Sequence, residues 1–137
     1  MRREPYLVLD GAHNADSAAR LAAALNDYFP GQPVTLIFGA SSDKDVDGML
    51  RELLRPEVGV RRIILAQAVH PRAQDPEELA ERLQGSGIHV EVRTSVAEAV
   101  ARGLETAAPD AVVLACGSLF VVAEARAAAL AQMRVSG

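Results

Sequence analysis

The sequence has one cysteine, Cys116, and one lysine, Lys44, in 137 residues. A lone thiol excludes an internal disulfide framework and fits a reducing compartment, so cytoplasm is the expected location. No apolar run approaches the roughly 18 residues a membrane span needs, and "MRREPYLVLD" lacks the organisation of a signal peptide. Positive charge is not in excess: a net charge of −4 with interspersed signs argues against a nucleic-acid footprint. It does not exclude ATP, because a few local groups suffice to hold phosphates. There is no G-x-x-x-x-G-K-[ST], so the chain cannot build a P-loop cradle. No G-x-G-x-x-G follows the first strand-like run, which argues against dinucleotide binding. "AQAVHPR" lacks the acids of a receiver-type phosphoacceptor, and no His/Cys/Asp cluster has zinc spacing, so no metal site is expected within the chain. The fourteen basic residues less one lysine leave thirteen arginines. This is a compositional bias toward arginine, and it leaves open why position 44 kept lysine.

Half of the residues are hydrophobic, which suits one domain with a single core. They follow two periods. Runs fit for buried strands cover Tyr6 to Leu9, Val34 to Phe38, Arg62 to Ala66, Ile88 to Val92 and Ala111 to Cys116. Between them, Ala18, Leu21, Ala22 and Leu25 line one face of a helix, and Val46, Met49, Leu50 and Leu53 repeat that spacing. "DPEELAERL" offers Asp75 as N-cap and Pro76 at the first helical position. "TSVAEAVARGLETA" offers Thr94 or Ser95 as a cap, with Glu98 as capping-box partner to Ser95. A last, alanine-rich helix is expected from about Leu119 to Met133. Strand and helix alternating five times predict an α/β fold: a Rossmann-like open, mainly parallel sheet of about five strands with helices on both faces.

In such a sheet, ligands bind beyond the carboxyl ends of the strands. The segments leaving the strands there are "DGAHN", "GASSDKD", "QAVHPRAQD", "RTS" and "CGS". Four of these five carry carboxylates, imidazole or glycine, and "RTS" looks like an ordinary cap; the opposite-edge returns such as "PGQP" and "QGSG" are mostly plain turn residues. That asymmetry places a candidate site at one edge.

Each residue there has two readings. Asp10 is a polar strand end, or a ribose or metal-water contact; His13 is a surface histidine, or a phosphate or carboxylate contact. Asn14 reads as the N-cap of the first helix, whose free N–H groups suit an anion. Gly39 lets the chain turn after the second strand, and Ser42 or Asp43 can cap the next helix. Lys44, between two acids, is a salt-bridged surface group or an ammonium for a substrate carboxylate. "HPR" at 70 to 72 is a loop in which Pro71 stiffens the exit from the strand, or a site in which Arg72 offers a bidentate fork to a carboxylate, with His70 a further candidate. His89 reads as packing or edge decoration, and Cys116 as a small buried hydrophobe rather than a nucleophile. Ser118 is a helix cap, or aims its hydroxyl and N–H at an anion.

"LDGAHNADSAARLAAAL", "IFGASSDKDVDGML", "PRAQDPEEL" and "LACGSLFVVAEAR" together resemble the C-terminal domain of bacterial folylpolyglutamate synthase/dihydrofolate synthase, in the Mur ligase superfamily. The resemblance covers nearly the whole chain, with the motifs in the family's order and spacing. It implies an ATP- and Mg2+-dependent amide ligase, in which a substrate carboxylate becomes an acyl phosphate that the amino group of L-glutamate attacks. On that pattern Asp10 contacts the ribose side of ATP, and His13 is the catalytic residue near the phosphates and the incoming glutamate. Lys44 and Ser118 match positions that hold the amino-acid carboxylates, and Arg72 resembles a substrate-side arginine. The acid substrate would be folate or dihydropteroate. The family's P-loop domain carries the metal ligands and is absent here, as are its folate-binding part and the glycine–arginine segment upstream. Proline usually follows D-G-A-H-N, where this chain has Ala15. The expectation is therefore one domain, residues 1–137, of a longer enzyme and inactive alone. The alternative is a free-standing, non-catalytic anion- or nucleotide-binding module of the same fold.

Overall fold

The computed structural model describes residues 5–136, with side chains through residue 132. Among the described residues five strands alternate with five α-helices: β1 (Tyr6–Leu9), α1 (Ala15–Tyr28), β2 (Val34–Phe38), α2 (Val46–Leu53), β3 (Val60–Leu65), α3 (Pro76–Arg82), β4 (His89–Val92), α4 (Val96–Thr106), β5 (Val112–Cys116) and α5 (Leu119–Ser136). A 3-10 turn at Pro56–Val58 leads into β3. The strands form one parallel sheet in the order β1-β5-β2-β3-β4. This is the expected α/β architecture. The strand order was not readable, because β5 inserts between β1 and β2.

Burial explains the composition of each strand. β2 ("VTLIF") and β5 ("VVLAC") are central and covered on both faces, so every residue in them is buried and the runs are continuously apolar. Alternate side chains feed two cores. Leu36, Phe38, Leu114 and Cys116 face α1, α2 and α3, while Ile37, Val113 and Ala115 face α4 and α5. The predicted helix faces hold: Ala18, Leu21, Ala22 and Leu25 are buried on α1, and Val46, Met49, Leu50 and Leu53 on α2.

Cap chemistry sets the helix starts. Asn14 accepts from the Ser17 N–H at 2.7 Å, and the Ser17 hydroxyl oxygen accepts from the Asn14 N–H, a closed capping box. Asp75 accepts from the Glu77 N–H with Pro76 at the first helical position, as expected. Two expectations need correction. Asp45, not Ser42 or Asp43, caps α2 by accepting from the Gly48 N–H at 3.0 Å; the preceding residues are committed to a contact with the next loop. Ser95 caps α4, but the Glu98 carboxylate turns to the Thr94 hydroxyl at 2.7 Å rather than to the Ser95 backbone.

The edge strand β4 is fastened through Glu91. Its carboxylate accepts from Arg93 at 2.6 Å, from Arg102 of α4 at 2.9 Å and from Arg62 of β3, with His89 at 2.9 Å. Burial pushes this carboxyl upward. The hydrogen bonds from Arg102 and His89, with the charges of Arg102 and Arg62, outweigh burial and lower it to about 2.

Candidate functional site

The loop after β1 is stitched to the end of β5. The Asp10 N–H donates to the Ala115 carbonyl at 3.1 Å, and the Gly117 N–H donates to the Ala12 carbonyl at 3.1 Å. Asp10 Oδ1 accepts from the Ala12 N–H at 2.9 Å, which closes a side-chain turn. Its other oxygen has no partner among the described residues. His13 is exposed, and its Nδ1 lies 2.9 Å from the Gly11 carbonyl. A carbonyl only accepts, so Nδ1 carries the proton, and in the neutral ring Nε2 presents a lone pair.

Backbone meets backbone at the ends of β5, β2 and β3. Gly117 has φ +114°, and a Cβ there would lie 2.2 Å from the Gly39 carbonyl oxygen. A Cβ on Gly39 would lie 2.4 Å from the Ala66 carbonyl oxygen. Gly39 is needed for close approach, a stronger requirement than the turn expected of it. Ser118 follows at once and is buried. Its Oγ accepts from the Val121 N–H at 3.1 Å and its carbonyl from the Val122 N–H at 3.2 Å. Ser118 therefore caps α5, and its hydroxyl hydrogen is left for a further acceptor.

The loops after β2 and β3 are zipped together. Ser41 and Ala73 form an antiparallel bridge, the Ser42 N–H donates to the Arg72 carbonyl at 2.7 Å, and the Gln74 N–H donates to the Ala40 carbonyl at 2.8 Å. Arg72 lies 3.7 Å from Asp43, both exposed. Asp43 is thus drawn to Arg72 and Asp45 to its cap. The exposed Lys44 has no carboxylate partner among the described residues, contrary to the salt-bridged reading. His70 stacks on Phe120 with ring centroids 4.0 Å apart. A small cleft opens beside it, lined by Ser41, Gln67, His70, Ser118 and Phe120 among others.

Because β5 lies between β1 and β2, Asp10 and His13, then Ser118, then Lys44 leave three adjacent strands at one edge, with Arg72 on the fourth. The segment after β4 supplies only Arg93, bound to Glu91, and the cap of α4. His89 opens β4 as edge decoration paired with Glu91. Cys116 is fully buried and its thiol is pushed far up by burial, so it is not a nucleophile. Among the described residues no group of three His, Cys, Asp or Glu side chains could hold a metal ion. Gln67 and Phe120, which line the cleft, escaped the sequence reading. Phe120 stands two residues beyond Ser118, but only the fold brings the β3 loop onto it.

The family described as "Mur ligase, glutamate ligase domain" matches residues 1–119. The Haloferax volcanii protein named "Probable bifunctional folylpolyglutamate synthase/dihydropteroate synthase" is 44% identical over 129 residues, covering 92% of this chain and 15% of that protein. Escherichia coli FolC in complex with ADP superposes with a TM-score of 0.80 at 28% identity, over 98% of this chain and 31% of FolC. The bifunctional folylpolyglutamate synthase/dihydrofolate synthase of Yersinia pestis, complexed with AMPPNP and Mn ion, gives 0.76 at 29%, over 92% and 28%. The chain thus spans less than a third of each relative. It belongs to the Mur ligase family, as a glutamate ligase domain.

Proposed function

We propose that this chain is the C-terminal, nucleotide- and glutamate-contacting unit of an ATP-dependent amide ligase that joins L-glutamate to folate or dihydropteroate. The observation that carries this reading is the insertion of β5 between β1 and β2, by which Ser118 stands between the Asp10–His13 loop and the Lys44 loop. In this reading ATP supplies the phosphoryl group that turns the acid substrate's carboxylate into an acyl phosphate. The free oxygen of Asp10 accepts from a ribose hydroxyl. His13 Nε2, an acceptor with Nδ1 held on Gly11, suits the amino group of the incoming glutamate better than a phosphate. Lys44 and the Ser118 hydroxyl hold glutamate carboxylates, with Arg72 on the substrate side. In this reading Mg2+ belongs with an N-terminal P-loop unit that completes the enzyme. No helix among the described residues is long and apolar enough to cross a membrane.

The test has two arms. The chain alone, given ATP, magnesium, glutamate and dihydropteroate, should release no ADP above a blank, and turnover would overturn the reading. A chimera in which this chain replaces the matching third of Escherichia coli FolC should release ADP only with both substrates present. In it, Lys44→Ala and Ser118→Ala should each lower kcat/KM for glutamate by about ten- to a hundredfold, roughly 1.4–2.8 kcal/mol, with little change in KM for ATP. The double variant should fall short of the product of the two losses. Unchanged glutamate kinetics in both single variants would remove them from the site.

A further inference from the structure

The cleft between the β3 and β5 loops has a specific chemistry. Its polar lining comes from Ser41, Gln67, His70 and Ser118, and no carboxylate lines it, in a chain with eighteen acids. The nearby Glu124 is engaged, accepting from the Val69 N–H at 2.8 Å. The cleft is narrow at its floor, where a water-sized group fits, and opens to solvent.

His70 is fixed there from three sides. The Ser41–Ala73 bridge and the Ser42–Arg72 hydrogen bond pin its loop. The ring lies on Phe120 at 4.0 Å and 32°. Its Nδ1 accepts from the Arg72 N–H at 3.2 Å. With Nδ1 as acceptor, the neutral ring carries its proton on Nε2, the opposite tautomer from His13. The Ser118 oxygen is likewise an acceptor, from the Val121 N–H, so its hydroxyl hydrogen is left without a protein acceptor among the described residues. Two donors lining one cleft, with no acid in that lining, match one carboxylate entering from the solvent side.

We propose that His70 is a positioning residue for the amino-acid substrate: its Nε2–H and the Ser118 hydroxyl together bind one carboxylate of L-glutamate in this cleft. This rests on the reading above, that the Ser118 edge takes glutamate, and adds a donor from β3 which that reading does not use.

Titration of the isotopically labelled chain with L-glutamate, followed by NMR, tests it. The His70 Nε2 resonance should move with the Ser118 amide. His70→Ala should weaken binding about tenfold, the effect of one hydrogen bond to a charged group. His70→Gln, whose amide N–H can stand where Nε2–H stood, should restore most of the affinity. If glutamate moves the Ser118 and Lys44 amides while His70→Ala binds like the parent, His70 has no such role and the glutamate site stands. If His70→Gln is as weak as His70→Ala, the ring matters only for loop packing and the proposal falls. If tens of millimolar glutamate moves nothing at this edge, the proposal and the glutamate site both fall.

Discussion

Asp10 has two separable roles, one in its own loop and one toward ligand. Oδ1 closes the turn onto the Ala12 N–H, and the other oxygen, without a partner among the described residues, is left for the proposed ribose contact. Asp10→Asn keeps an oxygen for the turn and removes the charge, whereas Asp10→Ala removes both. In urea titrations of the chain, Asp10→Asn should stay within about 0.5 kcal/mol of the parent, while Asp10→Ala falls further. In the FolC chimera both should raise KM for ATP about tenfold, since a charge-assisted hydrogen bond contributes roughly 1.5–3 kcal/mol. Unaltered ATP kinetics with lowered stability would leave Asp10 as a turn residue alone. The sequence marked this position because an acid is not required to end an apolar strand. It could not reveal the turn, which depends on the backbone path of Gly11 and Ala12. Nor could it reveal that the acids flanking Lys44 are engaged elsewhere, since that follows from Arg72 arriving from another strand.

Elements were legible where their cause is local and not where it is distant. Asn14, Asp75 and Ser95 were readable as caps because a cap bonds an N–H two or three residues away. The cap of α2 was misread because "SSDKD" offers several candidates, and the choice fell to the residue left after the β2 loop bridges the β3 loop. The Glu91 cluster was invisible, since Arg62 and Arg102 lie 29 and 11 residues away from it. Its pH signature follows from linkage. The folded carboxyl titrates at about 2 against 4.5 for an ordinary glutamate, so its contribution is fully present above about 4.5 and is lost as pH falls toward 2. The size at neutral pH is on the order of 3 kcal/mol. Glu91→Gln should therefore unfold at markedly lower urea than the parent at pH 7, with the two midpoints converging between pH 4.5 and 2. A gap that persists at pH 2 would assign the loss to shape rather than charge.

At the scale of the whole molecule, strand order decides whether residues far apart in sequence share a cleft. Alternation of strand and helix predicted the sheet and the edge, but the pairing of β5 with both β1 and β2 is a long-range outcome that no local pattern encodes. Close approach at the strand ends fixes how near the loops come. Gly117 sits at the tightest point, with φ +114° and the Gly39 carbonyl oxygen 2.2 Å from where a Cβ would stand. Gly117→Ala imposes backbone strain, about 1–3 kcal/mol, and displaces the end of β2 from β5 in addition. The expected result is a loss of at least about 2 kcal/mol in urea titration of the chain. Because Ser118 is the next residue and Lys44 hangs from the β2 loop, the same change should separate the two proposed glutamate contacts. In the FolC chimera, kcat/KM for glutamate should then fall at temperatures where the variant is still fully folded, with KM for ATP less affected. If Gly117→Ala loses stability but retains glutamate kinetics while folded, the two loops act independently and the packing of β5 against β2 serves the core alone.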